Sequence, residues 1–291
     1  MKKFKKVLAL TLAMVLVLGL FSGCGPQKAA GLYENGRLVK PWDDLLKEIG
    51  YTDFDGKNIT YQFYNNTEAS EFYFGSFKKN LKLYDLVIPR GVVSICEGAF
   101  SFCESLKSVQ IPNSVTTIIS GAFVCCSNLT KVELPSKIKS IEEGLFSGCE
   151  KLETIEIPNS VRNIGACAFN GCESLESIKI PDGVIFIGER VFDGCESLKT
   201  VELPKGVTTI WSETFRDCIK LTEIEVPSGV AIIESSAFEN CENLVSITIP
   251  DSVTSIVESS FKNCDKLTIY GSVTSFAKEY ADYYDIPFVE K

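Results

Sequence analysis

Residues 106–126 read LKSVQIPNSVTTIISGAFVCC, and residues 129–149 read LTKVELPSKIKSIEEGLFSGC. The two stretches superimpose without a gap at a shift of 23 residues. Working outward from them, Pro89, Pro112, Pro135, Pro158, Pro181, Pro204, Pro227 and Pro250 keep the same 23-residue spacing. Three residues after each proline is an aliphatic, six after is Ile, eleven after is Phe, fourteen after is Cys and seventeen after is Leu. A fixed period in this range marks a solenoid, in which one small unit stacks on its neighbours. Such folds act by presenting a surface.

The layer follows from the unit. Leu106, Val109 and Ile111 alternate with polar residues at the end of a β-branched run, which predicts a short strand. Strands repeated at one spacing must run parallel. Pro112 ends the strand because it has no N–H for the ladder. Asn113-Ser114 follows, replaced elsewhere by Asp182-Gly183, Lys205-Gly206 or Ser228-Gly229, and these pairs favour a turn. Val115 and Ile118 then point back inward, and Ala122-Phe123 is expected on a single helical turn. Position thirteen after the proline holds Gly148, Gly171, Gly194, Asp217, Asn240 and Asn263, residues that tolerate the left-handed conformation. Phe102 and Cys125 depart from that rule. The Phe column reads as core, each ring contributing roughly 1.5–3 kcal/mol on burial.

Both ends differ from the unit. Lys2, Lys3, Lys5 and Lys6 precede the apolar run Val7–Phe21, and Ser22-Gly23 precedes Cys24. This resembles a bacterial lipoprotein signal: residues 1–23 are removed and Cys24 is lipidated, although Phe21 stands where such signals usually carry Leu. As a membrane-spanning anchor the run is short of the roughly 20 residues needed. Residues 24–31 then form a tether, and residues 32–76 an N-terminal cap. In that cap Trp42, Leu45, Leu46 and Ile49 have helical spacing, Gly50 supplies a stop, and Ile59–Tyr64 reads as a strand. Tyr61, Phe63, Tyr64, Asn65 and Asn66 either bind a ligand or, as expected, pack on the first repeat. Residues 77–270 form the solenoid, opened by a half-repeat through Phe77, Asn80, Leu83, Leu86 and Ile88. Residues 271–291 form a C-terminal cap, with Ser272–Asp285 helical, Phe276, Tyr280 and Tyr283 on one face, and a strand over Ile286–Val289.

Composition excludes several functions. The formal charge of −9 becomes −13 once residues 1–23, with four lysines and no acid, are removed. An acidic exported chain has no basic face for nucleic acid. The chain has no histidine, hence no imidazole base, ligand or nucleophile partner. Of its 12 cysteines, eight occupy one repeat position. Stacked Cβ atoms would lie ~4.8 Å apart, whereas a disulfide needs ~3.8 Å, so this column reads as small buried hydrophobes. Zinc sites use CxxC pairs on one loop, a spacing that no two cysteines have here. Cys96, Cys125 and Cys167 stand outside the column and fit a reducing habitat.

The pattern Leu-x-x-Val-x-Ile-Pro-x-x-Val-x-x-Ile-x-x-x-Ala-Phe-x-x-Cys resembles the BspA-like leucine-rich repeat family. The resemblance implies an α/β architecture: a right-handed solenoid with a parallel sheet on its concave side and short helical turns. It also implies an exported, surface-exposed bacterial protein used for adhesion or partner binding. The membrane is then met through the lipid anchor alone, on the outer face of the cytoplasmic membrane or the cell surface.

Strand residues alternate faces, so the residues beside Val109 and its equivalents point outward. One column is Gln110, Glu133, Glu156, Lys179, Glu202, Glu225 and Thr248. Its companion is Ser108, Lys131, Thr154, Ser177, Thr200, Glu223 and Ser246. Stacked glutamates repel one another. The strip is either a solvated polar face or a recognition surface for a basic protein segment, a cation or a sugar. Clustered carboxylates suit Ca²⁺, but no loop motif accompanies them. A glycosidase pair needs a cleft, and no phosphate loop or nucleophile elbow is present. The sequence therefore points to a non-catalytic protein without metal or cofactor. Its partner is a host or bacterial surface protein or glycan, and the chain is expected to be a monomer. A structural spacer of the cell envelope is the alternative.

Overall fold

A computed structural model of the chain describes residues 31–34, 37–41, 44, 58–59, 85–88, 90 and 92–291. The signal segment, Cys24, the helical spacing of Trp42, Leu45, Leu46 and Ile49, the aromatics Tyr61, Phe63 and Tyr64, and Phe77, Asn80 and Leu83 lie outside these residues.

Each 23-residue unit makes one coil with two short strands. The first strands include Ser108–Gln110, Lys131–Glu133, Ser177–Lys179, Thr200–Glu202 and Glu223–Glu225. The second strands include Thr117–Ile118, Asn163–Ile164, Phe186–Ile187, Thr209–Ile210 and Ile232–Ile233. Pairing between coils is parallel and in repeat register, as in Ser108↔Lys131, Val109↔Val132 and Gln110↔Glu133. Proline sits between the two strands, where its missing N–H does no harm, and its carbonyl closes the turn. Val115 N–H donates to Pro112 O at 2.9 Å, and Val161 N–H to Pro158 O at 3.0 Å.

The expected helical turn is a correction. Around Phe123 the chain makes successive reverse turns instead: Ala122 N–H donates to Ile119 O, Val124 N–H to Gly121 O, and Cys126 N–H to Phe123 O. The intervening amides bond across coils, Gly121 N–H to Glu143 O (2.9 Å), Phe123 N–H to Leu145 O (3.1 Å) and Cys125 N–H to Ser147 O (2.7 Å). These three donors are spent on the neighbouring coil, so no helical ladder forms. Two left-handed residues per coil bend the chain this way. Position thirteen is left-handed throughout, including Phe102 (φ 58°) and Cys125 (φ 56°), which keep the geometry despite their side chains. Position nine forms a second such column, which the sequence reading missed: Gly98, Gly121, Gly144, Cys167, Arg190, Glu213 and Ser236.

The core lies between these three backbone ladders. From Phe100 to Phe261 the rings stack with centroids 5.3–5.8 Å apart and planes within 15°. Beside them run the buried thiols of Cys103, Cys126, Cys149, Cys172, Cys195, Cys218, Cys241 and Cys264. From Cys126 onward each thiol donates to a Phe carbonyl of the previous coil, at 3.0–3.3 Å. The column therefore combines a small apolar volume with a directional donor. Burial pushes the Cys172 and Cys218 thiols well up, away from reactive thiolate.

At the C-terminus a 3₁₀ turn, Glu258–Phe261, replaces the reverse turns of the last coil. Helix α1 (Phe276–Tyr283) follows, with Ser275 accepting from Lys278 N–H as its N-cap. The face it buries is Ala277, Tyr280 and Ala281. Phe276 and Tyr283, expected on that face, are exposed, Tyr283 at 79%. Four residues separate Phe276 from Tyr280 and three separate Tyr280 from Tyr283, and the small alanines rather than the outer rings allow close approach. Tyr280 stands edge-on to Phe261, centroids 5.8 Å apart, and donates to Glu258 O at 2.9 Å. The last strand is Phe288–Glu290, parallel to Thr268–Gly271. At the other end Gly31–Glu34 pairs antiparallel with both Arg37–Pro41 and Asp85–Val87, a hairpin the sequence did not announce. Asn58–Ile59 extends the second-strand ladder alongside Ser94–Ile95.

Candidate functional site

The outward column on the first strands follows from period-two alternation. In Lys131–Glu133, Ser177–Lys179, Thr200–Glu202 and Glu223–Glu225 the middle residue is buried and both neighbours are exposed. Gln110, Glu133, Glu156, Lys179, Glu202 and Glu225 are all exposed, as are Lys131 and Glu223. Thr248 is half-buried and accepts from Lys291 Nζ at 3.1 Å. The repeat register sets neighbouring rows ~4.8 Å apart.

The row has a definite charge order. Lys179 is paired in register with Glu156 on one side and Glu202 on the other. The two like-charged rows, Glu133 beside Glu156 and Glu202 beside Glu225, fall where the first-strand hydrogen bonding is interrupted. Opposed like charges weaken pairing. The second-strand ladder is also interrupted, between Thr117–Ile118 and Ser140–Ile141, so repulsion is not the general cause of such breaks. Lys131 bridges Glu133 at 3.1 Å with both side chains more than half exposed. Among the described residues, Glu156, Lys179, Glu202, Glu223 and Glu225 enter no ion pair.

The turn side of the solenoid is the opposite case. Arg190 forks onto Glu213 at 3.0 and 2.8 Å, and Arg216 onto Asp193 at 2.9 and 2.7 Å. Lys262 reaches Glu239 at 2.6 Å. The hydrogen bond from Arg190 holds the Glu213 carboxyl below the usual carboxylate range, and that from Lys262 does the same for Glu239. Asp193, only 4% exposed, is pushed up by burial, with Arg216 pulling it the other way. These charges are neutralised within the molecule, whereas those of the first-strand row are left open to solvent.

Chemically the row can pair with several separated cations around one anion. It lies on an open sheet. Among the described residues no group of three metal-ligating side chains occurs. A cleft of about 690 Å³ lies elsewhere, at the C-terminal end, lined by Phe261, Lys262, Tyr280, Tyr284 and Ile286. Asp85 extends the companion column by one coil and accepts from Ser108 Oγ at 2.6 Å. It stands 23 residues before Ser108, so the repeat spacing could have found it. Lys291 could not be found that way, because it reaches Thr248 through the non-repeating last strand.

Residues 70–195 and 145–268 match the BspA type Leucine rich repeat region, in six copies. The matched span exceeds half of the chain. The chain belongs to the BspA-type leucine-rich repeat family. Among solved structures, a T. pallidum leucine-rich repeat protein is 32% identical with a TM-score of 0.52, over 56% of this chain and 79% of that one. A Bacteroides ovatus leucine-rich repeat protein is 28% identical (TM-score 0.47), over 66% of this chain and 64% of that one. A leucine rich cell surface protein from Faecalibacterium prausnitzii is 29% identical (TM-score 0.47), over 68% of this chain and 62% of that one. The BspA-type chain thus spans less than two thirds of the length of these last two. No curated protein matches the sequence. No described helix is long and apolar enough to cross a membrane.

Proposed function

We propose that this BspA-type protein is a non-catalytic binding protein of the bacterial cell surface. Its ligand, a host or bacterial surface protein or a glycan, would dock on the row Gln110, Glu133, Glu156, Lys179, Glu202 and Glu225, flanked by Lys131 and Glu223. One observation carries the proposal. On the turn side Arg190, Arg216 and Lys262 are paired with Glu213, Asp193 and Glu239, whereas among the described residues Glu156, Lys179, Glu202, Glu223 and Glu225 of the first-strand row enter no ion pair. Unpaired charges on a rigid repeat face give electrostatic complementarity, which steers encounter and selects partners. Family membership and the cell-surface relative support exposure at the surface. The basic start, apolar run and Cys24 support export with a lipid anchor at that cysteine.

The test is an unbiased screen of residues 25–291 on glycan and host-protein arrays. Reproducible binding of at least one ligand is expected. A screen that recovers nothing would instead support the envelope-spacer role. Anchoring is tested separately: Cys24→Ala should release the protein from the membrane fraction, and continued fractionation with membranes would remove Cys24 from the account.

A further inference from the structure

The second-strand face carries an apolar patch that the repeat template does not call for. At position five after the proline the column reads Ser94, Thr117, Ser140, Asn163, Phe186, Thr209, Ile232 and Ser255. Most members are small or polar, as suits an outward position. Phe186 (43% exposed) and Ile232 (36%) break the column, and Ile185 beside Phe186 is 59% exposed. Trp211, 38% exposed, lies on the next coil with its ring 6.0 Å from Phe186 and tilted by 57°. In the repeat frame Gly165 and Gly188 hold the position Trp211 occupies, so the indole stands where the two preceding coils carry no side chain.

Charge borders this patch. Thr209↔Ile232 and Ile210↔Ile233 pair in register, so the next residue in each chain places Glu234 beside Trp211, ~4.8 Å away along the ladder. Glu234 is half-buried, and among the described residues it enters no ion pair and its carboxylate accepts no hydrogen bond in the protein. Glu189 stands exposed one position after Gly188 and is likewise outside every ion pair of the described residues. An indole face next to an unpaired carboxylate attracts a cation twice, through the ring quadrupole and through direct charge. The aliphatics Ile185 and Ile232 favour a partner with apolar side chains of its own. Exposed clustered apolar residues mark interaction sites, and Trp is enriched among residues that dominate binding.

We propose that Phe186, Trp211, Ile185 and Ile232, with Glu234 and Glu189, form a second docking site, for a protein segment presenting Lys or Arg between apolar residues. The lysine or arginine head lies against Trp211 and pairs with Glu234, while its apolar neighbours cover Phe186 and the isoleucines. This site is independent of the first-strand row and uses different strands of the same coils.

The test pans a displayed library of random twelve-residue peptides on the full chain, and titrates a selected peptide into Trp42→Phe protein, where Trp211 is the one remaining tryptophan. Enriched peptides should combine Lys or Arg with apolar residues and change Trp211 fluorescence. Trp211→Ala should weaken binding by about 30-fold or more, the factor equivalent to a hot-spot loss of about 2 kcal/mol. Glu234→Gln, which keeps the side-chain shape and removes only the charge, should weaken it several-fold and reduce its salt dependence, with an unchanged melting temperature as the control for folding. Glu156→Gln with Glu202→Gln should leave it unchanged, which separates this site from the row. The proposal is overturned if no peptide is enriched, if enriched peptides are acidic, or if they bind Trp211→Ala protein equally well. Two further results overturn it and name another occupant: a glycan lost from arrays on Trp211→Ala, or a concentration-dependent dimer of the native chain that Trp211→Ala abolishes.

Discussion

Single residues in this protein are fixed by backbone conformation as much as by burial. Cys167 occupies a left-handed position, φ 56°, where Gly98, Gly121 and Gly144 serve in earlier coils. A side chain in that region costs about 1–2 kcal/mol that glycine does not. Cys167→Gly is therefore expected to raise unfolding stability by about 1 kcal/mol, and Gly144→Ala to lower it by a similar amount, both read by urea denaturation. The position-thirteen column was legible because Gly, Asn and Asp share a conformational preference. The position-nine column was not, since Cys167, Arg190 and Glu213 disguise it and only dihedral angles reveal it. Arg190 and Glu213 hold their place partly through the ion pair between them. The cysteine column was legible as core but not as a donor ladder, because thiol hydrogen bonding depends on which carbonyl the neighbouring coil turns inward.

At the scale of the coil, stacking supplies the stability. Phe169 is fully buried and stacked on both sides, so Phe169→Ala is expected to cost about 3–5 kcal/mol. In a solenoid the same loss weakens two interfaces, so amide exchange should quicken in the coils of Phe146 and Phe192 before those near Phe261. Arg216→Ala is expected to cost about 1–3 kcal/mol, since it leaves a buried Asp193 without its fork while Arg216 itself is a third exposed. The carboxyls of Glu213 and Glu239 titrate lower in the folded chain than in the unfolded one. Their contribution is complete above the unfolded glutamate value of about 4.3 and fades as pH falls through the folded values. Asp193 acts in the opposite sense, because burial raises its folded value. Denaturation at neutral and acid pH should show Glu239→Gln losing less stability on acidification than the native chain. Strands and turns were readable from alternation and proline. The helical turn was not, because the choice between helix and reverse turns is made by hydrogen bonds to the next coil, which one unit's sequence does not contain.

For the whole molecule, the period determines which faces exist and the departures from it determine how they differ. Alternation alone placed Glu133, Glu156, Lys179, Glu202 and Glu225 on an exposed row, as the structure finds them. That Glu156, Lys179, Glu202 and Glu225 enter no ion pair among the described residues was not legible in the sequence, because spacing alone does not say which acids Arg190, Arg216 and Lys262 reach. Phe186 and Trp211 meet across coils although they occupy different repeat positions, so reading one column at a time passes over them. In the function proposed for this protein, the unpaired first-strand charges are what a ligand reads. The direct measurement is the affinity of an array-identified ligand for the native chain and for one carrying Glu156→Gln, Glu202→Gln and Glu225→Gln, at equal ionic strength and with melting temperatures compared. Binding weakened by about tenfold or more, a loss of at least about 1.4 kcal/mol, with melting unchanged, is the expected result. Equal affinity of the two chains would contradict the claim.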